Sequence, residues 1–208
     1  YMAIFLTLGS FIENSGVAQF FIDFPLALFR GVKAGGGYAA VVASALMGMG
    51  SGSPVANVVT TGTFTIPLMK KAGFQAHVAG GIEAAASTGG QLMPPVMGAV
   101  AFVMAEFTGV AYVKIIGYAT IPAFLFFLTV GFGVYFRSAH LNLKAVPVDD
   151  LPELKVMLRG VSNFLPIVVL VGVLVAGYTA ALAAFWAVAS LMVLILVRNP
   201  NMKFFTLI

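Results

Sequence analysis

The chain has 208 residues, of which 61% are hydrophobic and only 9% are charged. Soluble domains carry about 25% charged residues, so this composition excludes an ordinary soluble domain and indicates a protein that lies in a lipid bilayer. The lack of cysteine excludes disulfides and thiolate chemistry, and the net charge of +4 comes from scattered basic residues rather than from a nucleic-acid-binding patch.

The first segment, residues 1–35, is predicted to contain N-terminal membrane helices. An apolar stretch runs to about Ile12 and breaks in the turn-forming residues 13–16. Residues 17–31 follow as a short helix that Asp23 and Pro25 would bend or place at the interface. Because the chain is apolar from its first residues, we expect it to be an internal part of a longer membrane protein, with a truncated start.

Residues 36–71 contain the unusual stretch "MGMGSGSPVANVVTTGTFTIP", which places Gly, Ser, Pro and Thr where a membrane helix normally has Leu or Phe. Each side of its break has about 15 residues and would form a helix of about 22 Å, too short to cross a hydrocarbon core of about 30 Å. We therefore predict a re-entrant helical hairpin. Ser53 is expected to cap the returning half, and Pro54 to occupy its first turn.

Residues 74–107 form a second long apolar segment, broken at "ASTGGQLMPPVMG", residues 86–98. Gly89 and Gly90 are expected to end one half-helix, and Pro94 and Pro95 to open the next. Irregular backbone at membrane depth survives only where protein, water or an ion satisfies its polar groups. Secondary transporters build ion and substrate sites from such interrupted helices. Two similar breaks therefore favour a binding role.

The remaining segments complete an all-α integral membrane protein. We predict a transmembrane helix over 112–137, an amphipathic surface helix over 145–162, and two transmembrane helices of a scaffold over 163–198. If the hairpin is re-entrant and 74–107 crosses once, the eleven Lys and Arg divide 10 to 1 between the two sides. Other topologies divide them 8 to 3 or 6 to 5, so the positive-inside rule favours the hairpin with its open end in the cytoplasm.

Polar residues in the hairpin form a stripe on one helical face: Ser53, Asn57, Thr60 and Thr61. Their oxygens would suit a hard cation, although such residues also bond back to their own helix or pack against a neighbour, as the small-residue face of Ala40, Ser44 and Gly48 would. An intramembrane acid is a functional candidate, so Glu83 is a candidate for coupling to H⁺ or Na⁺. It could instead support the break or lie nearer the interface.

Other chemistry-bearing residues have no partners at suitable spacing. His77 and His140 are isolated, so no metal beyond Na⁺ is expected. Tyr112, Tyr118 and Trp186 are expected to face lipid or the interface. No grouping suits nucleophilic or acid–base catalysis, and we predict that the chain has no catalytic residues and is not an enzyme.

The stretches "ASALMGMGSGSPVANVVTTGTFTIPLMKKAGF" and "AGGIEAAASTGGQLMPPVMGAVAFVMAEF" resemble the large membrane subunit of tripartite ATP-independent periplasmic (TRAP) transporters, in particular the fused permeases of the TAXI type. The resemblance is specific over about residues 36–109. It implies an elevator-type, Na⁺-driven importer of organic anions such as dicarboxylates, located in the bacterial inner membrane. It also implies a periplasmic solute-binding protein and a small membrane subunit or its fused equivalent as partners.

On this resemblance, residues 36–110 are one half of the transport domain of an inverted-repeat protein, and the second repeat lies outside this chain. The implied coupling ion is Na⁺, and its implied ligands are Ser51, Gly52, Ser53, Asn57, Ser87, Thr88, Gly89 and Gly90. The implied substrate contacts are Ser53, Thr60, Thr61 and Pro94.

Two alternatives stay open from the sequence. One is a Na⁺/anion symporter of similar fold that needs no binding protein, which the dependence of uptake on an added binding protein would distinguish. The other is an ion channel whose re-entrant loop lines a pore, which predicts current without saturable uptake.

Overall fold

The structure is a computed structural model that describes residues 2–141, 143, 145, 152, 157 and 160–198. Within these residues the secondary structure is helical, and the β-pairing is limited to an isolated bridge between Lys33 and Ala145. This confirms the predicted all-α class. The helices are α1 (Met2–Asn14), α2 (Val17–Leu28), α3 (Gly35–Ser51), α4 (Pro54–Lys71), α5 (Ala76–Gly89), α6 (Gly98–Thr108), α7 (Tyr112–Leu141), α8 (Leu165–Val175) and α9 (Ala180–Arg198).

Helix α3 lies at the centre of the fold and contacts α1, α2, α4, α5 and α7. Its buried positions are mostly small, including Ala39, Ala40, Ala43 and Ser44. Small residues let helix backbones approach closely, which is how membrane helices gain packing energy without a hydrophobic drive between them. One apolar core joins α1, α2, α8 and α9 on one side of α3, and another joins α4, α5 and α7 to it on the other side.

The predicted hairpin corresponds to α3 and α4, which pack against each other. The two helices have 17 and 18 residues. At 1.5 Å per residue each is about 26 Å long, slightly less than a hydrocarbon core of about 30 Å. These lengths agree with a hairpin, while its entry and exit by the same membrane face stay a prediction.

The second broken segment is also interrupted, but its boundaries differ from the prediction. Helix α5 continues to Gly89, and α6 begins only at Gly98. The prolines Pro94 and Pro95 therefore do not open the second half-helix, as predicted, but lie in the irregular link between the halves. Met97, with a φ of 54°, separates them from α6 in a left-handed conformation that interrupts the helical path.

Two basic residues, Arg137 and Lys33, contact neighbouring segments at one end of the bundle. Arg137, near the end of α7, donates a hydrogen bond to Gln75 at the start of α5, at 3.3 Å. Lys33, before α3, pairs with Ala145, beyond the end of α7. Lys114 lies 23 residues before Arg137 on the same helix, so the two are about 35 Å apart along it. The two basic residues therefore lie near opposite ends of α7, and the side of the membrane that each faces stays a prediction.

The structure describes only part of the remaining predicted segments. Most of the predicted amphipathic helix over 145–162 lies outside the described residues. Two helices are long and apolar enough to cross a membrane, Tyr112–Leu141 and Ala180–Val197, within the part of the chain that the structure describes. Helix α8 has 11 residues and is about 16 Å long, shorter than the span expected for the first half of 163–198.

Candidate functional site

The two breaks in the chain meet inside the fold. Helix α3 ends at Ser51, and Gly52 follows with a φ of 58°. A Cβ atom on Gly52 would lie 2.6 Å from Cα of Gly98, the first residue of α6. The two backbones can approach this closely only because both residues are glycines. The tip of the hairpin and the second break therefore form one region, as the resemblance to the TRAP large subunit implied.

The N-terminus of α4 faces a cavity at this meeting point. Ser53 is its N-cap, and the Ser53 hydroxyl accepts a hydrogen bond from the backbone N–H of Ala56 at 3.3 Å. Pro54 occupies the first helical position, so both capping predictions are confirmed. The cavity has a volume of about 270 Å³ and is lined by residues of both breaks, among them Ser51, Gly52, Ser53, Gln91 and Gly98. A helix N-terminus carries partial positive charge, which favours an anion there.

Tyr112 anchors the second break to α7. Its hydroxyl donates to the backbone carbonyls of Pro95, at 2.7 Å, or Val96, at 2.9 Å. Its ring stacks on Phe102 of α6 with centroids 4.5 Å apart and planes 5° from parallel. The expectation that Tyr112 faces lipid or the interface was therefore wrong, because the tyrosine satisfies the irregular backbone of the break.

A group of hydroxyls surrounds Glu83, which does not itself line the cavity. Glu83 is fully buried in α5, with 0% of its surface exposed. Its Oε1 accepts hydrogen bonds from Thr61 and, at 3.2 Å, from Ser87. Ser44 of α3 reaches the same oxygen at 3.4 Å, and Thr65 of α4 donates to Oε2. We call Ser44, Thr61, Thr65, Glu83 and Ser87 the Glu83 cluster.

Asn57 connects this cluster to the tip. It is fully buried, and its Nδ2 donates to the backbone carbonyl of Ser44 at 2.8 Å. The Thr61 hydroxyl contacts the Asn57 side-chain oxygen Oδ1 at 3.4 Å and the backbone carbonyl of Asn57 at 2.8 Å. A Cβ atom on Gly90, at the start of the second break, would lie 2.9 Å from Asn57 Nδ2. One side chain thus touches α3, the Glu83 cluster and the break.

The structure divides the predicted Na⁺ ligands into two groups and leaves two of them apart. Ser51, Gly52 and Ser53 line the cavity. Asn57, Ser87 and Gly90 lie in or beside the Glu83 cluster. Thr88 is exposed and donates to the carbonyl of Ala84 at 2.7 Å, and Gly89 packs against Phe126 of α7. The proposed Na⁺ ligation of these residues stays a prediction.

The predicted substrate contacts are not gathered in one place. Ser53 lines the cavity, whereas Thr61 is buried and belongs to the Glu83 cluster. Thr60 and Pro94 are half-buried and do not line that cavity. Of the four predicted substrate contacts, Ser53 is therefore the one that lines the cavity in which a ligand could bind.

Two members of the Glu83 cluster were not among the residues predicted to be functional. Thr65 continues the series Asn57, Thr61 at the same four-residue spacing, so the sequence contained a signal for it. Ser44 was considered only as part of a small-residue packing face, and its hydroxyl serves both packing and hydrogen bonding. The described residues contain no group of three or more acidic or histidine side chains suited to a metal ion.

Interrupted helices whose breaks meet within an apolar helical bundle define an architecture that secondary transporters use. Residues 1–208 match the family described as the tripartite ATP-independent periplasmic transporter, DctM component, and the chain belongs to this family. It is 33% identical over 149 residues, 72% of this chain and 34% of the relative, to the C4-dicarboxylate TRAP transporter large permease protein DctM of Pseudomonas aeruginosa. It is 25% identical over 189 residues, 88% of this chain and 44% of the relative, to the 2,3-diketo-L-gulonate TRAP transporter large permease protein YiaN of Escherichia coli.

Family membership confirms the resemblance to the large subunit of TRAP transporters, while the TAXI-type fusion stays a prediction. The family consists of multi-pass proteins of the bacterial inner membrane, and the relatives named above are called large permease proteins. The chain spans less than half the length of these curated relatives. Membership of a transporter family also favours a permease over the channel alternative.

Proposed function

We propose that this chain supplies one half of the transport domain of a Na⁺-coupled importer of organic anions, delivered by a periplasmic solute-binding protein. The observation that carries the proposal is the contact between the hairpin tip and the second break around one cavity. Membership of the TRAP large permease family supports the same interpretation. A small membrane subunit, separate or fused, and a second repeat would complete the transporter.

The cavity suits an anion on one side and a cation on another. The N-terminus of α4, capped by Ser53, presents backbone N–H groups and a positive dipole end. The C-terminus of α3 at Ser51 and Gly52 presents carbonyls and a hydroxyl, which are the ligands that a hard cation such as Na⁺ prefers. Binding both ions at one pair of helix ends would link the affinity for one to the presence of the other.

The substrate class follows from two considerations. The relatives from Pseudomonas aeruginosa and Escherichia coli are named for C4-dicarboxylates and for 2,3-diketo-L-gulonate, both of which are organic acids. The cavity of about 270 Å³ is small, and the second repeat would add a wall to it. We therefore propose a small organic anion of the dicarboxylate type.

An elevator-like movement is the transport mechanism that we propose. Helices α3, α4 and α5 pack tightly on one another, and α3 and α5 also contact the long helix α7. A compact unit of this kind could move as a body and carry the cavity from one side of the membrane to the other. Alternating access in such transporters is largely a rigid-body movement around a fixed site.

The test uses the full-length permease with its small subunit, reconstituted in proteoliposomes with the binding protein and a radiolabelled C4-dicarboxylate. We expect saturable uptake that requires an inward Na⁺ gradient and the added binding protein. Ser53→Ala removes the cap at the cavity and should raise the Na⁺ or substrate concentration for half-maximal uptake by about tenfold, the effect of about 1.4 kcal/mol. Asn57→Ala should also weaken the Na⁺ dependence.

Thr63→Val is a matched control, because Thr63 is exposed on the same helix and bonds only to the carbonyl of Thr60. Unchanged Na⁺ dependence in both Ser53→Ala and Asn57→Ala would refute the assignment of the tip. Uptake that needs no binding protein would instead favour the simpler symporter.

A further inference from the structure

Gln91, in the irregular link that follows α5, lines the cavity between the two breaks. Its side-chain amide has an NH₂ group that donates hydrogen bonds and a carbonyl oxygen that accepts them. The side chain is exposed, and none of the described residues is a hydrogen-bond partner of its amide. The amide is therefore free to bind a ligand that enters the cavity.

The backbone around Gln91 is held in a fixed position. Its N–H donates to the carbonyl of Thr88 at 3.2 Å, and the carbonyl of Gly90 accepts from the N–H of Met93 at 3.3 Å. Gly90 packs so closely on Gly48 of α3 that a Cβ atom on Gly48 would overlap it. Only the side-chain torsions of Gln91 therefore have to be fixed when a ligand binds, which keeps the entropic cost of binding low.

The two serines of the cavity are placed for a carboxylate. The Ser53 hydroxyl accepts from the N–H of Ala56, and the Ser51 hydroxyl accepts from the N–H of Ser53 at 3.4 Å. Each hydroxyl still has its own proton to donate. Both serines flank the N-terminus of α4, whose partial positive charge favours an anion. This side of the cavity therefore suits the carboxylate of the proposed organic anion.

The rest of the cavity wall is apolar and suits a carbon chain. It is formed by Phe5, Val96, Met97, Val100 and Phe102. The described residues that line the cavity include no Lys, Arg, Asp or Glu. Away from the two serines, the side chain with which a ligand can form a hydrogen bond on these walls is therefore Gln91.

The dimensions of the cavity allow one small anion to contact both polar regions. A sphere with the cavity volume of about 270 Å³ has a diameter of about 8 Å. Carbon–carbon bonds of about 1.5 Å make a four-carbon acid about 6 Å long. A carboxylate at the N-terminus of α4 therefore leaves the other end of the molecule within reach of Gln91.

The neutral amide of Gln91 matches a hydroxyl group better than a second carboxylate. A hydroxyl donates and accepts, so it can use both the carbonyl and the NH₂ group of the amide, whereas a carboxylate only accepts. Charged donors such as guanidinium groups form the stronger hydrogen bonds to carboxylates. The chemistry of the side chain thus indicates an uncharged oxygen substituent on the ligand.

From this geometry we propose that Gln91 is a specificity-determining residue that binds a hydroxyl group of a small organic anion. The inference rests on the proposed import function. The carboxylate binds at the N-terminus of α4, the carbon chain lies against the apolar wall, and the hydroxyl exchanges hydrogen bonds with the Gln91 amide. An anion without the hydroxyl leaves the amide unpaired once the second repeat closes the cavity. Sites that bind a substrate hydroxyl reject analogues that lack it for this reason.

The test measures binding to the permease itself, because uptake also reflects the preference of the solute-binding protein. The full-length permease with its small subunit is placed in lipid nanodiscs at saturating Na⁺, without the binding protein. Isothermal titration calorimetry then gives its affinities for malate and succinate, two C4-dicarboxylates that differ by one hydroxyl. We expect malate to bind about tenfold more tightly to the wild type, the effect of about one hydrogen bond.

Three variants identify the residue responsible for this preference. Gln91→Leu removes the amide, so it should weaken malate binding about tenfold and leave succinate binding within about twofold. Gln91→Asn keeps an amide that is one methylene shorter and should show a reduced preference for malate. Gln19→Leu is the matched control, because Gln19 is an exposed glutamine of α2 that bonds to Asp23 and does not line the cavity. It should keep the wild-type preference.

The unfolding temperature without ligand separates binding from a structural role. Because the amide of Gln91 has no partner among the described residues, Gln91→Leu should unfold at the same temperature as wild type. A lower unfolding temperature, together with equal losses of affinity for both acids, would show a structural role and contradict the proposal. If Gln91→Leu does not fold, Gln91→Asn decides, and a full wild-type preference in that variant would overturn the role of Gln91.

The outcomes also distinguish this inference from the import function. Equal affinities of the wild type for malate and succinate, or an unchanged ratio of the two in Gln91→Leu, would overturn the role of Gln91. Because the permease would still bind organic anions, the import function would stand. Failure of the wild type to bind either acid, together with no Na⁺-driven uptake of C4-dicarboxylates, would refute both proposals.

Discussion

Replacing Gly48 with alanine should separate the two helices that carry the candidate site. Gly48 of α3 faces Gly90 at the start of the second break, and a Cβ atom on Gly48 would overlap Gly90 Cα and lie 3.1 Å from its carbonyl carbon. Carbon atoms pack at about 3.5–4.0 Å, so the helices would have to move apart by about 1 Å or lose their contact. Overpacking of this kind costs about 1–3 kcal/mol. Asn57 lies against Gly90, so the shift would also strain its hydrogen bond to Ser44.

The assay is the apparent unfolding temperature of the full-length permease in detergent, with Gly81→Ala as the matched control. Gly81 is an exposed residue of α5, and a Cβ atom there would contact nothing within 4 Å. Alanine in a helix interior is favoured over glycine by about 0.5–1 kcal/mol, so this control should be as stable as wild type or more stable. The two variants should therefore shift in opposite directions. Equal stability of Gly48→Ala and wild type would refute the close approach of α3 to the second break.

Three further changes test single contacts by the same measurement. Ser53→Ala should lower the stability by about 1 kcal/mol through loss of the N-cap, whereas Ser53→Asn should keep most of the wild-type stability because asparagine also caps helices. Equal losses of stability in the two variants would argue against capping. Thr65→Val should cost about 1–3 kcal/mol because Glu83 loses a donor, whereas Thr63→Val at an exposed position should stay within about 0.5 kcal/mol. Tyr112→Phe should cost about 0.5–1.5 kcal/mol, and no difference from Tyr118→Phe on the exposed face would contradict its role at the break.

The breaks themselves were predictable from the sequence because they depend on local backbone chemistry. Ser53 and Pro54 specify a helix start wherever they occur, and Gly52 permits the left-handed conformation that ends α3. The composition alone was enough for the membrane class. The likeness of the two breaks favoured a binding role, and their joining in one site was implied by the resemblance to the TRAP large subunit.

The hydrogen bonds between residues of different helices were not predictable in the same way. The hydrogen bonds from Ser44 and Thr65 to Glu83 depend on how α3 and α4 pack against α5, which periodicity within one helix does not determine. Tyr112 was placed at the lipid surface for the same reason, because its acceptors lie in a different segment. Pro95 was expected to open α6, but Met97 in a left-handed conformation delays the helix to Gly98.

The position of Asn57 gives a physical route between the Glu83 cluster and the cavity. Its backbone N–H donates to the carbonyl of Ser53, the capping residue, at 3.0 Å, and its own carbonyl is the alternative acceptor for the Thr61 hydroxyl. The same hydroxyl also contacts Oε1 of Glu83, so Thr61 joins the two groups. A rearrangement of the Glu83 cluster would therefore change the hydrogen bonding of the residue one helical turn from the tip. Because coupling between two sites is reciprocal, an ion bound at the tip would in turn change the stability of the hydrogen bonds in the Glu83 cluster.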